Sequence, residues 1–204
     1  MNYLRKSNNK ANGIYYPQIE TERLLLRMFE PKDLDAAYVL FNDVEVQKYL
    51  SPQNQRNREQ LKNLLEKCLK YWGERGFGMW CVTEKNVGKM IGYCGFQYFD
   101  KTTEIEIVFG YLKEYWGKGI ATEAAQVCLK YGFEQLSLKN IFAVTDPNNI
   151  ASQRVLEKLR MLLCEKIVHY EMNTVTYTIS KNQYQSLTQF FKKSNQSRVS
   201  NKTI

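Results

Sequence analysis

Two glycines on either side of a lysine, Gly117 and Gly119, stand between a strand-like segment and a long segment with helical periodicity. The first amides of a helix have no partners within the helix, and the helix dipole makes that end electropositive. Glycines let an anion approach the backbone because they carry no Cβ. This arrangement predicts a binding site for a phosphate or a pyrophosphate. A tight turn between a strand and a helix would require the same glycines, so the loop alone leaves both explanations open.

Two other kinds of glycine-rich phosphate loop are disfavoured by the residues of this segment. A Walker A loop has a glycine where Leu112 stands, and a serine or threonine where Gly119 stands. A dinucleotide-binding fingerprint has a third glycine in the place of Thr122, and it normally follows the first strand of a parallel sheet.

The elements that position this loop follow from the periodicity of the chain. Patterns rich in aromatic and branched residues predict strands, and apolar residues at helical spacing predict helices. The predicted strands are 23–29, 78–83, 90–99, 104–112, 140–145, 165–171 and 175–179. The predicted helices are 32–41, 57–72, 118–136, 148–159 and 181–192. This order predicts one α/β domain with a mixed, mostly antiparallel sheet, in which a single crossover from 104–112 to 140–145 makes a central parallel strand pair.

The net charge of +8 comes from the two ends of the chain. Residues 1–19 carry three basic residues without an acid, residues 172–204 carry five, and the charges between these segments balance. We expect a poorly ordered basic N-terminus (1–18), one domain (19–192) and a basic polar tail (193–204). Basic tails leave an anionic partner open, but the balanced body and the lack of an RNA-binding sequence motif disfavour nucleic acid.

Cysteine and histidine usage disfavours a metal site. The five cysteines contain no CxxC pair and the sequence has one histidine, so we expect no metal. The cysteines lie in apolar contexts and are expected to be buried, unreactive thiols in a reducing compartment. With no long apolar stretch and no secretory signal at its start, the sequence predicts a cytoplasmic protein without a membrane partner. It is compatible with a monomer or a homodimer.

Three separated segments together resemble one known family. Trp116, Gly119 and Ala121 take the places of the defining residues in the Q/R-x-x-G-x-G/A loop of Gcn5-related N-acetyltransferases (GNAT). The segment 20–27, Glu-Thr-Glu-Arg-Leu-Leu-Leu-Arg, is similar to the first strand of the family's RimJ/RimL-like branch. Residues 149–159 are similar to the Asn-x-x-Ser helix of that branch, and the tryptophan in the loop resembles the branch as well.

The resemblance implies a GNAT fold and an N-acetyltransferase. Such an enzyme uses acetyl-CoA as cosubstrate, without a metal, and its acceptor is a primary amine, either a protein or peptide N-terminal α-amine or a small amine. A ribosome- or RNA-associated binding module with a vestigial acetyltransferase core is the alternative. The residues that the resemblance assigns to the coenzyme are Ile107, Val108, Phe109, Trp116, Gly117, Lys118, Gly119, Ile120, Ala121, Thr122, Asn149 and Ser152.

For catalysis, the resemblance suggests Glu106 as the base that takes a proton from the amine, because this residue matches a glutamate in the family's strand before the loop. Alternation along the strand puts Glu104 on the same face, so either carboxylate could serve, and both could instead be solvated. Ser152 is the predicted proton donor to the leaving thiolate, because Leu156 stands where many relatives have a tyrosine. A helix-capping role is the alternative for Ser152.

Two departures from the family pattern carry expectations of their own. Arg160 stands where the family has a glycine, so the helix before it ends differently or Arg160 adopts a strained left-handed conformation. Val108 and Gly110 replace a glycine and a tryptophan, which would reshape the thioester end of the coenzyme slot. The oxyanion of the reaction should meet a backbone N–H near Phe109 or Gly110.

Overall fold

A single mixed sheet organises the chain. The computed structural model describes residues 4–11, 14–49, 56–99, 102–169 and 172–200. Within these ranges the sheet has nine strands: β1 (Leu4–Ala11), β2 (Ile14–Glu20), β3 (Leu24–Arg27), β4 (Met79–Glu84), β5 (Met90–Tyr98), β6 (Ile105–Tyr111), β7 (Asn140–Thr145), β8 (Leu162–His169) and β9 (Met172–Ser180). Their order across the sheet is β1-β2-β3-β4-β5-β6-β7-β9-β8, and every pair except β6 with β7 is antiparallel. The predicted mixed sheet with one parallel pair is confirmed.

Helices connect or follow these strands. They are α1 (Leu34–Asn42), α2 (Val44–Gln47), α3 (Arg58–Arg75), α4 (Ile120–Glu134), α5 (Ile150–Lys158) and α6 (Lys181–Ser200). Helix α3 shows why the boundaries fall where they do: Asn57 and Gln60 form a reciprocal capping box at its start, and Gly76 ends it at a φ of 72°. Of the helices in the described ranges, none is long and apolar enough to cross a bilayer.

The sheet separates two apolar clusters. Along β4, Trp80 and Val82 belong to the larger cluster and Cys81 to the smaller one, because successive strand residues point to opposite faces. Helices α4 and α5 cover the larger cluster, for example with Phe133 and Leu156. The smaller cluster lies under α1 and α3.

Regular secondary structure reaches both ends of the described chain. Strands β1 and β2 form a hairpin in which Leu4 pairs with Ile19, and Trp80 Nε1 donates a hydrogen bond to the Pro17 carbonyl at 2.9 Å. Helix α6 extends to Ser200, past the expected tail boundary at 193. The main chain supplies the bonds of a hairpin and of a helix, so polar composition alone did not reveal these elements. Residues 1–3, 12–13 and 201–204 of the expected basic ends lie outside the described residues.

The end of α5 confirms the expected strain. Arg160 has a φ of 61°, which is the left-handed region that glycine normally occupies. Its N–H bonds to the Glu157 carbonyl at 2.9 Å, and the next amide, that of Met161, reaches back to Leu156 at 3.1 Å. The helix therefore keeps a glycine-type ending at a cost of about 1 kcal/mol for a residue with a Cβ.

The prediction of buried cysteines is correct for four of the five. Cys68, Cys81, Cys94 and Cys128 are buried, and burial raises the pKa of Cys68 to about 12. Cys164 is exposed, so the prediction was wrong there. The reason is its place on β8, which is an edge strand of the sheet and leaves apolar side chains uncovered.

A buried ion pair fixes the turn from β3 into α1. Arg27 and Asp33 are 5% and 2% exposed, and two parallel hydrogen bonds of 2.7 and 2.8 Å join them. The guanidinium also donates to the Met28 carbonyl, and the carboxylate accepts from the Glu30 N–H at 2.7 Å. Burial would raise the pKa of Asp33, but the hydrogen bonds from Arg27 and Glu30 outweigh it, so the pKa is lowered.

We expect Asp33→Asn to lower the free energy of unfolding by about 3 kcal/mol, because it leaves the Arg27 guanidinium buried without its counter-charge. Since the folded-state pKa of Asp33 is lowered, this contribution is present above the unfolded-state pKa and is lost as the pH falls through the folded-state pKa. Urea denaturation at neutral and acidic pH measures both effects.

The matched control is Asp35→Asn, which breaks the exposed ion pair between Asp35 and Arg58. It should cost less than about 1 kcal/mol. Equal losses in the two variants would contradict the special role of the buried pair.

Candidate active site

The sheet opens between its two parallel strands. The β6–β7 ladder has a single pair, Glu106 with Phe142, and no further pair within the described residues of these strands. On its other side β6 is bonded along its whole length to β5. After Glu106, β6 and β7 are therefore no longer paired with each other. The peptide groups on their facing edges point into a gap between the two strands.

The register with β5 decides which peptide groups face this gap. Leu112 N–H bonds to the Ile91 carbonyl at 3.0 Å, and hydrogen-bonded pairs alternate along an antiparallel ladder. The N–H and C=O groups of the even-numbered residues of β6 therefore bond to β5. The N–H and C=O groups of the odd-numbered residues point toward β7, and these residues include Ile107, Phe109 and Tyr111. This selects the Phe109 amide over that of Gly110 as a donor available in the gap.

The glycine loop leads from the end of β6 into α4. Gly117 and Gly119 have φ values of 72° and 76°, so both occupy the left-handed region. Gly119 is the N-cap of α4 and offers no side chain to cap it. By contrast, Asn57 and Asn149 cap the helices α3 and α5 with their side chains. The start of α4 thus keeps its first amides without a capping side chain.

Trp116 ties the loop to β6. Its indole Nε1 donates to the Tyr111 carbonyl at 2.8 Å, and 38% of the residue is exposed. The ammonium of Lys118 lies 5.5 Å from the ring centre of Tyr115, just before it in the loop. The predicted loop residues therefore surround the end of β6 and the start of α4.

A polar clamp that the sequence did not predict joins β3 to this loop. Arg23 donates from Nε to Glu123 at 2.6 Å and from Nη1 to the Lys118 carbonyl at 2.9 Å. Glu123 also accepts bonds from the Thr21 hydroxyl at 2.5 Å and from the Arg23 N–H at 3.1 Å. Burial would raise the pKa of Glu123, but these bonds outweigh it and lower the pKa. The partners lie about 100 residues apart, so no local spacing indicates the clamp.

Glu106 is buried and is hydrogen-bonded to an amide side chain. The residue is 2% exposed, and its Oε1 accepts a hydrogen bond of 2.6 Å from Gln97 Nε2 on the neighbouring strand β5. Gln97 and Glu106 are direct cross-strand partners, which explains the contact. Sequence reasoning did not identify Gln97, although strand pairing of 90–99 with 104–112 would have brought it near.

Glu104 differs from Glu106 in its burial. Glu104 precedes β6, is exposed, and donates its N–H to the Thr102 hydroxyl at 3.1 Å. The strand begins at Ile105, and the Glu104 carbonyl accepts from the Phe99 N–H at 2.8 Å, one step beyond the β5–β6 pairs. Only Glu106 of the two carboxylates lies inside the sheet.

Gly110 makes room for an aromatic ring. A Cβ at this position would lie 2.7 Å from the Tyr93 ring, which packs on the glycine across the strand pair. Phe41 of α1 stacks on the same ring at 5.5 Å. Burial raises the pKa of Tyr93 to about 12, so the phenol is neutral. The family's tryptophan is thus replaced by a glycine and a tyrosine from the adjacent strand.

Asn149 and Ser152 lie at the start of α5, directly after β7. The Asn149 side chain caps the helix by accepting from the Ser152 N–H at 3.1 Å. The Ser152 hydroxyl has no hydrogen-bond partner among the described residues, and the residue is half-buried. Asn149 therefore caps the helix with its side chain, and the Ser152 hydroxyl is not used for capping.

The topology brings the two helix starts to one edge of the sheet. Strands β6 and β7 are parallel, and the carboxyl ends of neighbouring parallel strands meet at the same edge. The Trp116–Gly119 loop follows β6 and Asn149 follows β7, so both lie at the open end of the gap. This arrangement can hold an anion at α4 and present a chain attached to it to the β6 backbone.

A groove of about 720 Å³ starts at Gly119 and runs along α4 toward Arg160. Its apolar lining includes Leu159 and Leu187, and Lys158 stands beside Arg160 at the far end. The groove therefore borders the start of α4. In the described part of the chain no group of three or more His, Cys, Asp or Glu side chains could hold a metal ion.

The sequence matches the acetyltransferase (GNAT) domain family over residues 23–162. It is 27% identical to the spermidine N(1)-acetyltransferase of Escherichia coli over 144 residues, which cover 71% of this chain and 75% of that protein.

Solved structures of acetyltransferases are also similar to this chain. A GNAT-family acetyltransferase from Bacillus anthracis is 31% identical, with a TM-score of 0.69 over 81% of this chain and 99% of that chain. RimL, a ribosomal α-N-protein acetyltransferase in complex with coenzyme A, is 17% identical, with a TM-score of 0.68 over 80% of this chain and 97% of that chain. At this lower identity the likeness to RimL shows the fold alone.

We expect Gly119→Ala to weaken coenzyme A binding about tenfold, because a Cβ at this φ costs about 1–2 kcal/mol and the loop relaxes away from the geometry that the ligand needs. Isothermal titration calorimetry with coenzyme A measures the change.

The matched control is Gly88→Ala, in the turn between β4 and β5. Gly88 has a φ of 69°, and a Cβ there meets nothing within 4 Å, so the variant carries the same backbone strain away from the loop. It should lower stability and leave the dissociation constant unchanged. If both variants bound coenzyme A like the wild type, the loop would not be the anion site.

Proposed function

This chain belongs to the acetyltransferase (GNAT) family and is an N-acetyltransferase, and we propose that it transfers an acetyl group from acetyl-CoA to a primary amine. The single observation that carries this proposal is the uncapped start of α4 at the sheet edge where β6 and β7 part. The GNAT fold uses acetyl-CoA, and the coenzyme A complex of RimL is in keeping with such a site.

The diphosphate of the coenzyme would be held by the loop and the first turn of α4. The amides of Gly119, Ile120, Ala121 and Thr122 lie where a helix start presents donors, and the helix dipole favours an anion there. Gly117, Lys118 and Trp116 complete the loop, and the ammonium of Lys118 adds a positive charge.

The thioester arm would enter the gap between β6 and β7, along Ile107, Val108 and Phe109. The gap offers the Phe109 amide, which turns away from the β5 ladder. A fixed backbone donor at the place where the oxyanion forms stabilises a tetrahedral intermediate. Asn149, at the start of α5 on the other side of the gap, is placed to contact the same arm.

Glu106 is the base in this proposal. The amine nitrogen attacks the thioester carbon and its proton passes to the Glu106 carboxylate, directly or through a water molecule. The C–S bond then breaks, and the Ser152 hydroxyl donates a hydrogen bond to the leaving thiolate. The proton that Glu106 accepted returns through solvent to this thiolate, which gives free coenzyme A and restores the Glu106 carboxylate. Gln97 fixes the orientation of the Glu106 carboxylate through its 2.6 Å hydrogen bond.

The acceptor belongs to the class of primary amines. The three segments that resemble the RimJ/RimL-like branch favour a protein or peptide N-terminal α-amine. The spermidine acetyltransferase among the relatives supports a small amine. Incubation with acetyl-CoA and either short peptides with free N-termini or polyamines, followed by mass spectrometry, distinguishes the two. The absence of acetylated product from every amine would contradict the proposed function.

The proposal also includes membership of the RimJ/RimL-like branch, a cytoplasmic location and these roles for the residues of the loop and the gap. The binding-module alternative is not favoured, because the family match and the relatives are those of acetyltransferases.

We expect Glu106→Gln to lower kcat about a hundredfold, because the amide cannot accept the amine proton, and to leave coenzyme A affinity unchanged. Steady-state kinetics with the best acceptor and calorimetry with coenzyme A measure the two effects.

Glu104→Gln is the matched control, since Glu104 carries the same carboxylate two residues away but is exposed and outside β6. It should retain wild-type kcat. A Glu106→Gln enzyme as active as this control would exclude Glu106 as the base.

A further inference from the structure

Arg23 contacts the backbone of the glycine loop as well as its ion-pair partner. Its Nε and Nη2 both lie 2.6 Å from Glu123 Oε2, and its Nη1 donates to the Lys118 carbonyl at 2.9 Å. The nearest atom to a Cβ placed on Gly119 would be Arg23 Nη2, at 3.6 Å. The guanidinium thus lies directly against the peptide that joins Lys118 to Gly119.

The direction of this carbonyl determines the direction of the next amide. A trans peptide unit is planar, and its C=O and N–H point in opposite directions. With the Lys118 carbonyl turned to Arg23, the Gly119 N–H points away from the clamp. A rotated peptide would instead turn the carbonyl oxygen in that direction, where it would repel an anion.

The loop itself does little to prevent such a rotation. Gly119, on one side of this peptide, and Gly117, one residue before Lys118, lack a Cβ and reach many backbone conformations at little cost. Two glycines that permit close approach of a phosphate also permit the wrong peptide orientation. A contact from outside the loop is needed to select one orientation.

We propose that Arg23 is a positioning residue that holds the Lys118–Gly119 peptide with its N–H toward the diphosphate of acetyl-CoA. This inference rests on the proposed coenzyme site. It assigns to the turn before β3 a role in coenzyme affinity, although Arg23 itself need not touch the ligand.

The positioning role is separable from the attachment of β3 to α4. Glu123 Oε1 accepts from the Thr21 hydroxyl at 2.5 Å and from the Arg23 backbone N–H at 3.1 Å. These two bonds remain when the Arg23 side chain is removed. Conversely, Thr21→Val removes a hydroxyl in the turn before β3, which donates to Glu123 and accepts from the Leu24 N–H at 2.9 Å. This variant keeps the contact of Arg23 to the Lys118 carbonyl.

The test compares Arg23→Met with Thr21→Val in the full chain. For Arg23→Met we expect coenzyme A to bind about tenfold more weakly and the KM for acetyl-CoA to rise similarly, with kcat and the KM for the amine unchanged. Thr21→Val should lose stability and keep wild-type coenzyme affinity. Calorimetry, steady-state kinetics and thermal unfolding supply the readouts.

Arg23→Lys separates positioning from charge, and serves if Arg23→Met does not fold. It keeps the positive charge and an ion pair to Glu123 but has no second donor in the place of Nη1, so we expect weakened binding as well. Wild-type affinity in Arg23→Met or Arg23→Lys, or equal losses in Arg23→Met and Thr21→Val, would overturn the inference. A wild-type protein that does not bind coenzyme A would instead overturn the proposed function.

Discussion

The parting of β6 from β7 after a single ladder pair is the constraint on which the site depends. Unpaired peptide groups inside a sheet carry a free-energy cost unless something else bonds to them. Here the Tyr111 carbonyl receives the Trp116 indole, and the amide of Phe109 is left for a ligand. The same parting separates the starts of α4 and α5, so one irregularity creates the slot and puts a helix end on each side of it.

Around the gap, a large side chain compensates for a missing one, and a basic side chain neutralises an acidic one. Gly110 gives up a side chain and Tyr93 fills the space from β5, backed by Phe41, so the face that carries Glu106 stays packed. On the opposite face of the sheet, Glu123 in the first turn of α4 is neutralised by Arg23. An acidic side chain near a helix start interacts favourably with the helix dipole, but without a counter-charge it would repel an anionic ligand. The ion pair with Arg23 lets Glu123 stabilise the helix without this repulsion.

Periodicity predicted the strands and helices from β3 to α6 and the parallel pair, because these elements bury regular apolar patterns. The exception is the short helix α2 (Val44–Gln47), which was not predicted. It did not predict β1 and β2, whose polar residues are held by main-chain pairing. The loop and Glu106 could be proposed as site residues because local sequence marks them, whereas Gln97 and Arg23 contact the candidate site from other elements. Sequence alternation could not separate Glu104 from Glu106, because their difference in burial depends on where β6 begins.

The distribution of thiols has a practical consequence. Four cysteines are enclosed in the core, where burial raises the pKa of Cys68 to about 12 and that of Cys128 well above its ordinary value, while Cys164 is exposed on the edge strand β8. Because maleimides react with accessible thiolates, the folded chain offers Cys164 as its natural attachment point. A fluorophore or spin probe could be coupled there without replacing any interior cysteine, which makes ligand-induced movements of this edge accessible to spectroscopy.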